Sequence, residues 1–183
     1  MLATNRTLNQ NNIPGDILQL AELHSFLFLT NKALELLSDV DSYYKTNPRW
    51  TLEAEALKAY LENTPETFPN LLHQVKPWER SLQQRIQFFW ARSLRKTSSE
   101  KALKVLENTD GSWTTIEKAL AIKSQNDKEA LTILGDIPKK REIMELRLYY
   151  HAARFEITRD TTDLQTFLDL TLASERLLPG FIA

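Results

Sequence analysis

The 183-residue chain has no cysteine, only four glycines and no apolar run long enough to span a bilayer. Without cysteine there are no disulfides, zinc–thiolate clusters or thiol nucleophiles, and the compartment is left open. A membrane-spanning helix needs about 20 apolar residues, and runs such as Phe26-Leu27-Phe28-Leu29 fall far short. The expectation is a soluble protein, with the cytoplasm placed slightly ahead of the periplasm or another exported location. An excess of one charge is also missing: 23 Lys and Arg stand against 24 Asp and Glu, a net charge of −1. Residues 1–76 hold 6 basic and 9 acidic side chains and residues 77–183 hold 17 and 15. That balance argues against nucleic acid or an anionic membrane as the partner. The first dozen residues are polar and contain no apolar signal core, and the Asn5-Arg6-Thr7 triplet carries little weight.

Good helix formers are abundant: Leu, Ala, Glu, Lys, Gln and Arg dominate, while alternating strand patterns bounded by turn dipeptides are missing. Leu82, Ile86, Phe89, Trp90, Ser93 and Leu94 recur in steps of three and four, the spacing of one helix face. Proline, glycine and capping residues then divide the chain into helix pairs. The expected helices run over 16–29 and 32–44, 50–61 and 69–75, 78–96 and 100–108, 113–124 and 127–134, and 140–157 and 163–178. Residues 1–15 read as a polar N-terminal tail, 16–178 as a single helical domain and 179–183 as a C-terminal tail.

A short phrase recurs in the second helices: Ala33-Leu34 with Leu37, Ala102-Leu103 with Leu106, and Ala130-Leu131 with Leu134. Leu71-Leu72 and Leu164 with Phe167 occupy the corresponding places elsewhere. The implied period lies in the low thirties, that of helix-pair repeats. Trp50, Trp78 and Trp113 each stand near the start of a first helix. A small Ala suits a close helix crossing, and stacked pairs bury the remaining apolar face.

On these residues the chain resembles the tetratricopeptide repeat family, with Trp113 and Ala130, and Trp78 and Ala102, as the best-matching positions. Pro48, Pro77 and Pro138 look like the proline that ends its repeats. The resemblance implies an all-α fold, a right-handed α-solenoid of about five antiparallel helix pairs, and a function in binding partners. Phe89 and Trp90 stand where the family carries a small residue. That departure predicts uneven curvature and keeps an irregular α-helical bundle as the alternative.

No catalytic constellation is present. His24, His73 and His151 are scattered with no second histidine at helical metal spacing, and read as surface or boundary residues. Phosphate loops, nucleophile elbows and paired carboxylates are missing, so neither an enzyme nor a cofactor is expected. Candidate binding residues are basic. Arg85 and Arg92 are seven apart, as are Arg147 and Arg154, so each pair lies along one face of a first helix. With Tyr150, and with Lys96 and Lys123 nearby, they could line a groove for acidic side chains or a terminal carboxylate. The competing reading is solvated arginines paired with acids such as Glu79, Glu145 or Glu156. The aromatic clusters read as core.

The expected function is therefore a protein-interaction module, a scaffold or adaptor for a peptide, helix or partner domain. The alternatives are a nucleic-acid-binding helical repeat using the basic second half, and an accessory domain of a larger enzyme or assembly. The apolar ending from Leu177 to Ala183 raises the expectation of self-association or docking onto a further domain.

Overall fold

Helix boundaries follow the capping chemistry of the sequence. A computed structural model describes residues 13–39, 47–135 and 144–177, and among these the chain is all-helical. The helices are α1 (Ile13–Phe26), α2 (Thr30–Asp39), α3 (Pro48–Leu61), α4 (Phe68–Gln74), α5 (Arg80–Arg95), α6 (Ser99–Leu106), α7 (Ser112–Lys123), α8 (Asp127–Gly135), α9 (Met144–Thr158) and α10 (Thr161–Leu177). A short 3-10 turn, Pro65–Thr67, leads into α4. None of these helices is long and apolar enough to cross a membrane. Pro138, the side chain of Glu145 and the chain end beyond Leu177 lie outside the described residues.

Asn47 caps α3 by accepting the Arg49 N–H at 3.1 Å, with Pro48 in the first turn where its missing donor costs nothing. Ser98 caps α6 by accepting the Lys101 N–H at 3.3 Å, and Asp160 caps α10 by accepting the Thr162 N–H at 2.8 Å. Replacing Ser98 by alanine is expected to remove about 1 kcal/mol. In a chain of this length that lowers the thermal midpoint by about 2–4 °C, measurable by circular dichroism; an unchanged midpoint would show that Ser98 does not set this helix start.

Four expected pairs, α1/α2, α5/α6, α7/α8 and α9/α10, make the most extensive helix contacts in the fold, whereas α3 packs mainly on α5. Ala33, Ala102 and Ala130 are fully buried, and Leu37, Leu106 and Leu134 are buried with them. Leu34 and Leu103 are only half-buried and Leu131 is exposed. The recurring phrase therefore puts its Ala and its last Leu inward at the helix crossing.

The first helices do more than contact their partners. α1 touches α3, α3 touches α5, α5 touches α7, α7 touches α9, and α9 returns to α1. Repeats that touch only their neighbours would not bring α1 to α9. Phe26, Phe88, Phe89, Trp113 and Tyr149 fill the centre of this circuit, with successive ring centroids 5.0–6.0 Å apart. The interior where a concave groove was expected is thus occupied by the protein's own aromatic core.

Candidate functional site

The five residues read from the sequence as a binding face do not share one surface. Arg85 pairs with the buried Glu22 carboxylate of α1, and its guanidinium lies over the Trp113, Phe89 and Phe88 rings at 4.7, 5.2 and 5.7 Å. It is a structural tie between α1 and α5. Arg154 faces α10 instead, in an ion pair with Asp163 at 3.1 Å and with the Tyr150 hydroxyl 3.5 Å away. His151 lies 3.0 Å from the same Asp163 carboxylate. Arg147 is exposed. Arg92 is different: it is only 7% exposed and lies at one end of the aromatic core.

At that end the C-terminal parts of α1, α3, α5 and α7 converge with α9 around a cleft of about 230 Å³. α5 supplies Arg92 and Arg95, with Lys96 just beyond its last turn; α3 supplies Tyr60 and α9 supplies Tyr149 and Glu156. The Arg92 guanidinium is packed among Phe26, Tyr60 and Tyr149, its carbon 4.6, 4.6 and 5.0 Å from the ring centroids. Such contacts stabilise a desolvated cation through the negative ring faces. They leave the buried Nη1 without a hydrogen-bond partner among the described residues.

Arg95 is matched. The fully buried Glu117 carboxylate accepts hydrogen bonds from Arg95 Nε and from the Tyr149 hydroxyl. Burial works against the Arg95 charge, but Glu117, Tyr149 and Glu156 together outweigh it and the pKa ends raised. Burial, and then Glu117, also push the Tyr149 hydroxyl well above its ordinary range, so it stays a donor. Glu156 lies between Arg95 and Lys123, at 3.7 and 3.5 Å.

Lys96 is not matched. Its ammonium stands 4.7 Å over the Tyr60 ring with no carboxylate in salt-bridge range among the described residues. Burial, then repulsion by Arg92 and Arg95, holds its pKa below the ordinary lysine value. Carbonyl-bearing helix ends attract cations, which accounts in part for Arg95 and Lys96 at the end of α5. It does not satisfy Arg92, whose guanidinium carries hydrogen-bonding capacity that nothing described uses.

Phe28 forms part of the mouth. It has φ +60°, a left-handed conformation that costs a non-glycine residue about 1 kcal/mol, and its ring is 82% exposed. The Leu29 N–H reaches back to the His24 carbonyl at 2.9 Å, closing α1 in the manner that ordinarily selects glycine at this position.

Sequence reasoning identified Arg92 and Lys96 but missed Arg95, Glu117 and Phe28. Glu117 had a readable signal: a lone acid beside Ile116, Ala119 and Leu120 on an otherwise apolar helix face calls for a buried partner. Two histidine and tryptophan expectations need correction. His24 is buried, not at the surface, with its Nδ1–H donating to the Leu20 carbonyl at 2.8 Å. Trp78 precedes α5 and is 76% exposed, with Lys76 over its ring at 5.7 Å. His73 is exposed, and no group of three metal-ligating side chains occurs among the described residues.

No protein-family model matches the chain, and searches of curated proteins and of solved structures also return no match.

Proposed function

We propose that this chain is a protein-interaction module that receives an acidic group of its partner in the Arg92 cleft. The carrying observation is the charge left over there: Arg95 is balanced by Glu117, while Arg92 and Lys96 face the cleft without carboxylates among the described residues. A buried guanidinium nitrogen with an unmet donor is costly, and an anion that reaches the guanidinium offsets part of that cost. The finer description of the fold that fits this reading is a closed helical bundle built from repeated pairs, supported by the return of α9 to α1. The tetratricopeptide-like open array is the competing description, supported by the recurring Ala-Leu-x-x-Leu phrase.

The test is selection of displayed peptides on the full chain, comparing the wild type with Arg92→Met and with Arg147→Ser. Peptides with an acidic group at a fixed position should be enriched on the wild type and on Arg147→Ser and lost on Arg92→Met. Enrichment without an acidic position, or equal capture by Arg92→Met, would overturn the reading.

A further inference from the structure

The size and walls of the cleft narrow what it can take. At about 230 Å³ it holds the share of roughly seven or eight waters at ~30 Å³ each, and lies below the ~300 Å³ at which sites for drug-sized ligands begin. A nucleotide or a run of acidic side chains would extend beyond it into solvent. A single residue or a small organic acid fits it.

The cations cluster on the α5 side, the Glu156 carboxylate of α9 is engaged by Arg95 and Lys123 at 3.7 and 3.5 Å, and Phe26, Leu148 and Phe167 line an apolar part of the cleft. A phosphate there would set some of its oxygens against hydrocarbon, an unfavourable burial of charge. A carboxylate on an apolar body divides as the cleft divides. Rings pack against the Arg92 guanidinium, which favours approach along its edge, where a planar fork meets two coplanar oxygens. Phe28, held in a left-handed turn with its ring in solvent, stands where it can cover the ligand's apolar body.

We infer that the Arg92 cleft is a site for one carboxylate borne on a compact apolar body, its oxygens on Arg92 and Lys96 and its body against Phe26, Phe28 and Phe167. This deepens the reading above and rests on it for the source of the group. The same chemistry is offered by an apolar residue at a partner's C-terminus and by a free organic acid.

Isothermal titration of the full chain separates the outcomes. The probes are N-acetyl-phenylalanine and its amide, inorganic phosphate, and a short peptide ending in phenylalanine as the free acid or the amide. The free acids should bind at least tenfold more tightly than their amides and than phosphate, since a charge-assisted hydrogen bond is worth about ten- to a hundredfold. Arg92→Met should abolish binding. In case that variant folds poorly, Lys96→Gln, at an exposed position, should weaken binding of the acid about tenfold without moving the thermal midpoint. Phe28→Gly should weaken binding while stabilising the turn. Binding of the small acid but not the peptide supports the carboxylate site and removes the protein-partner reading. Binding of internal acidic peptides, with acid and amide indistinguishable, keeps the protein-partner reading and overturns this inference. Absence of binding by both free acids, or a preference for phosphate, overturns it as well.

Discussion

Glu117→Leu should lower the thermal midpoint by roughly 6–20 °C. Breaking one side of a buried ion pair costs about 3–5 kcal/mol, and in a chain of this length each kcal/mol moves the midpoint about 2–4 °C. Glu117 is fully buried and is the acceptor for both Arg95 Nε and the Tyr149 hydroxyl. Leucine fills the volume but leaves a guanidinium and a phenol without their acceptor. Glu156, 3.7 Å from Arg95, recovers part of the loss, so the effect should fall toward the lower end if that pair tightens. Glu117→Gln keeps a neutral acceptor and should lie between the wild type and Glu117→Leu. Adding Arg95→Met and Tyr149→Phe to Glu117→Leu removes the stranded groups and should recover much of the stability, since apolar replacements of a complete buried network are often tolerated. A midpoint drop of under 2 °C for Glu117→Leu, followed by calorimetry, would show that the network does not anchor α5 to α7 and α9.

The same network shows where sequence reasoning reached its limit. Periodicity correctly placed Arg85 and Arg92 on one side of α5, because a seven-residue step returns to nearly the same face. That side packs against the aromatic core: Arg85 lies over Trp113, and Arg92 among Phe26, Tyr60 and Tyr149 at the edge of the cleft. What decides the matter is the contact of α1 with α9, between residues more than a hundred positions apart. No local pattern encodes it. Tyr149 and Tyr150, adjacent on α9 and so about 100° apart around its axis, are unequally exposed: Tyr149 is buried while Tyr150 is half-buried.

Local structure was far more legible. Asn47, Ser98 and Asp160 begin helices as their side-chain oxygens allow, and the positions after breaks mark the pairs to within a few residues. One departure is α5, which starts at Arg80, not Trp78. Pro77 disfavours helical backbone at Lys76, and a turn closed by the Glu79 N–H on the Lys76 carbonyl intervenes before the helix. α1 likewise stops at Phe26, before the expected end, because Phe28 turns left-handed. Both departures leave an aromatic ring in solvent, and only the one at Phe28 borders the cleft.

Phe88→Ala should cost about 3–5 kcal/mol, the range for removing a fully buried aromatic side chain. Phe88 is closed to solvent, with its ring centroid 5.0 Å from Phe89, 5.3 Å from Trp113 and 5.7 Å from Tyr149. These neighbours belong to α5, α7 and α9, so the cavity opens where the first helices meet and cannot be filled by moving one of them. Phe88→Leu keeps most of the volume and should cost less than half as much. Because the core is shared, denaturant unfolding of Phe88→Ala followed by tryptophan fluorescence and by circular dichroism should give one coincident transition at lower denaturant. A row of repeats coupled only to their neighbours would instead let the α5–α7 region melt before α1 and α2. Two separated transitions, or a loss below 1 kcal/mol, would show that α1 and α9 do not close a common core, and the Arg92 cleft would then lack one of its walls.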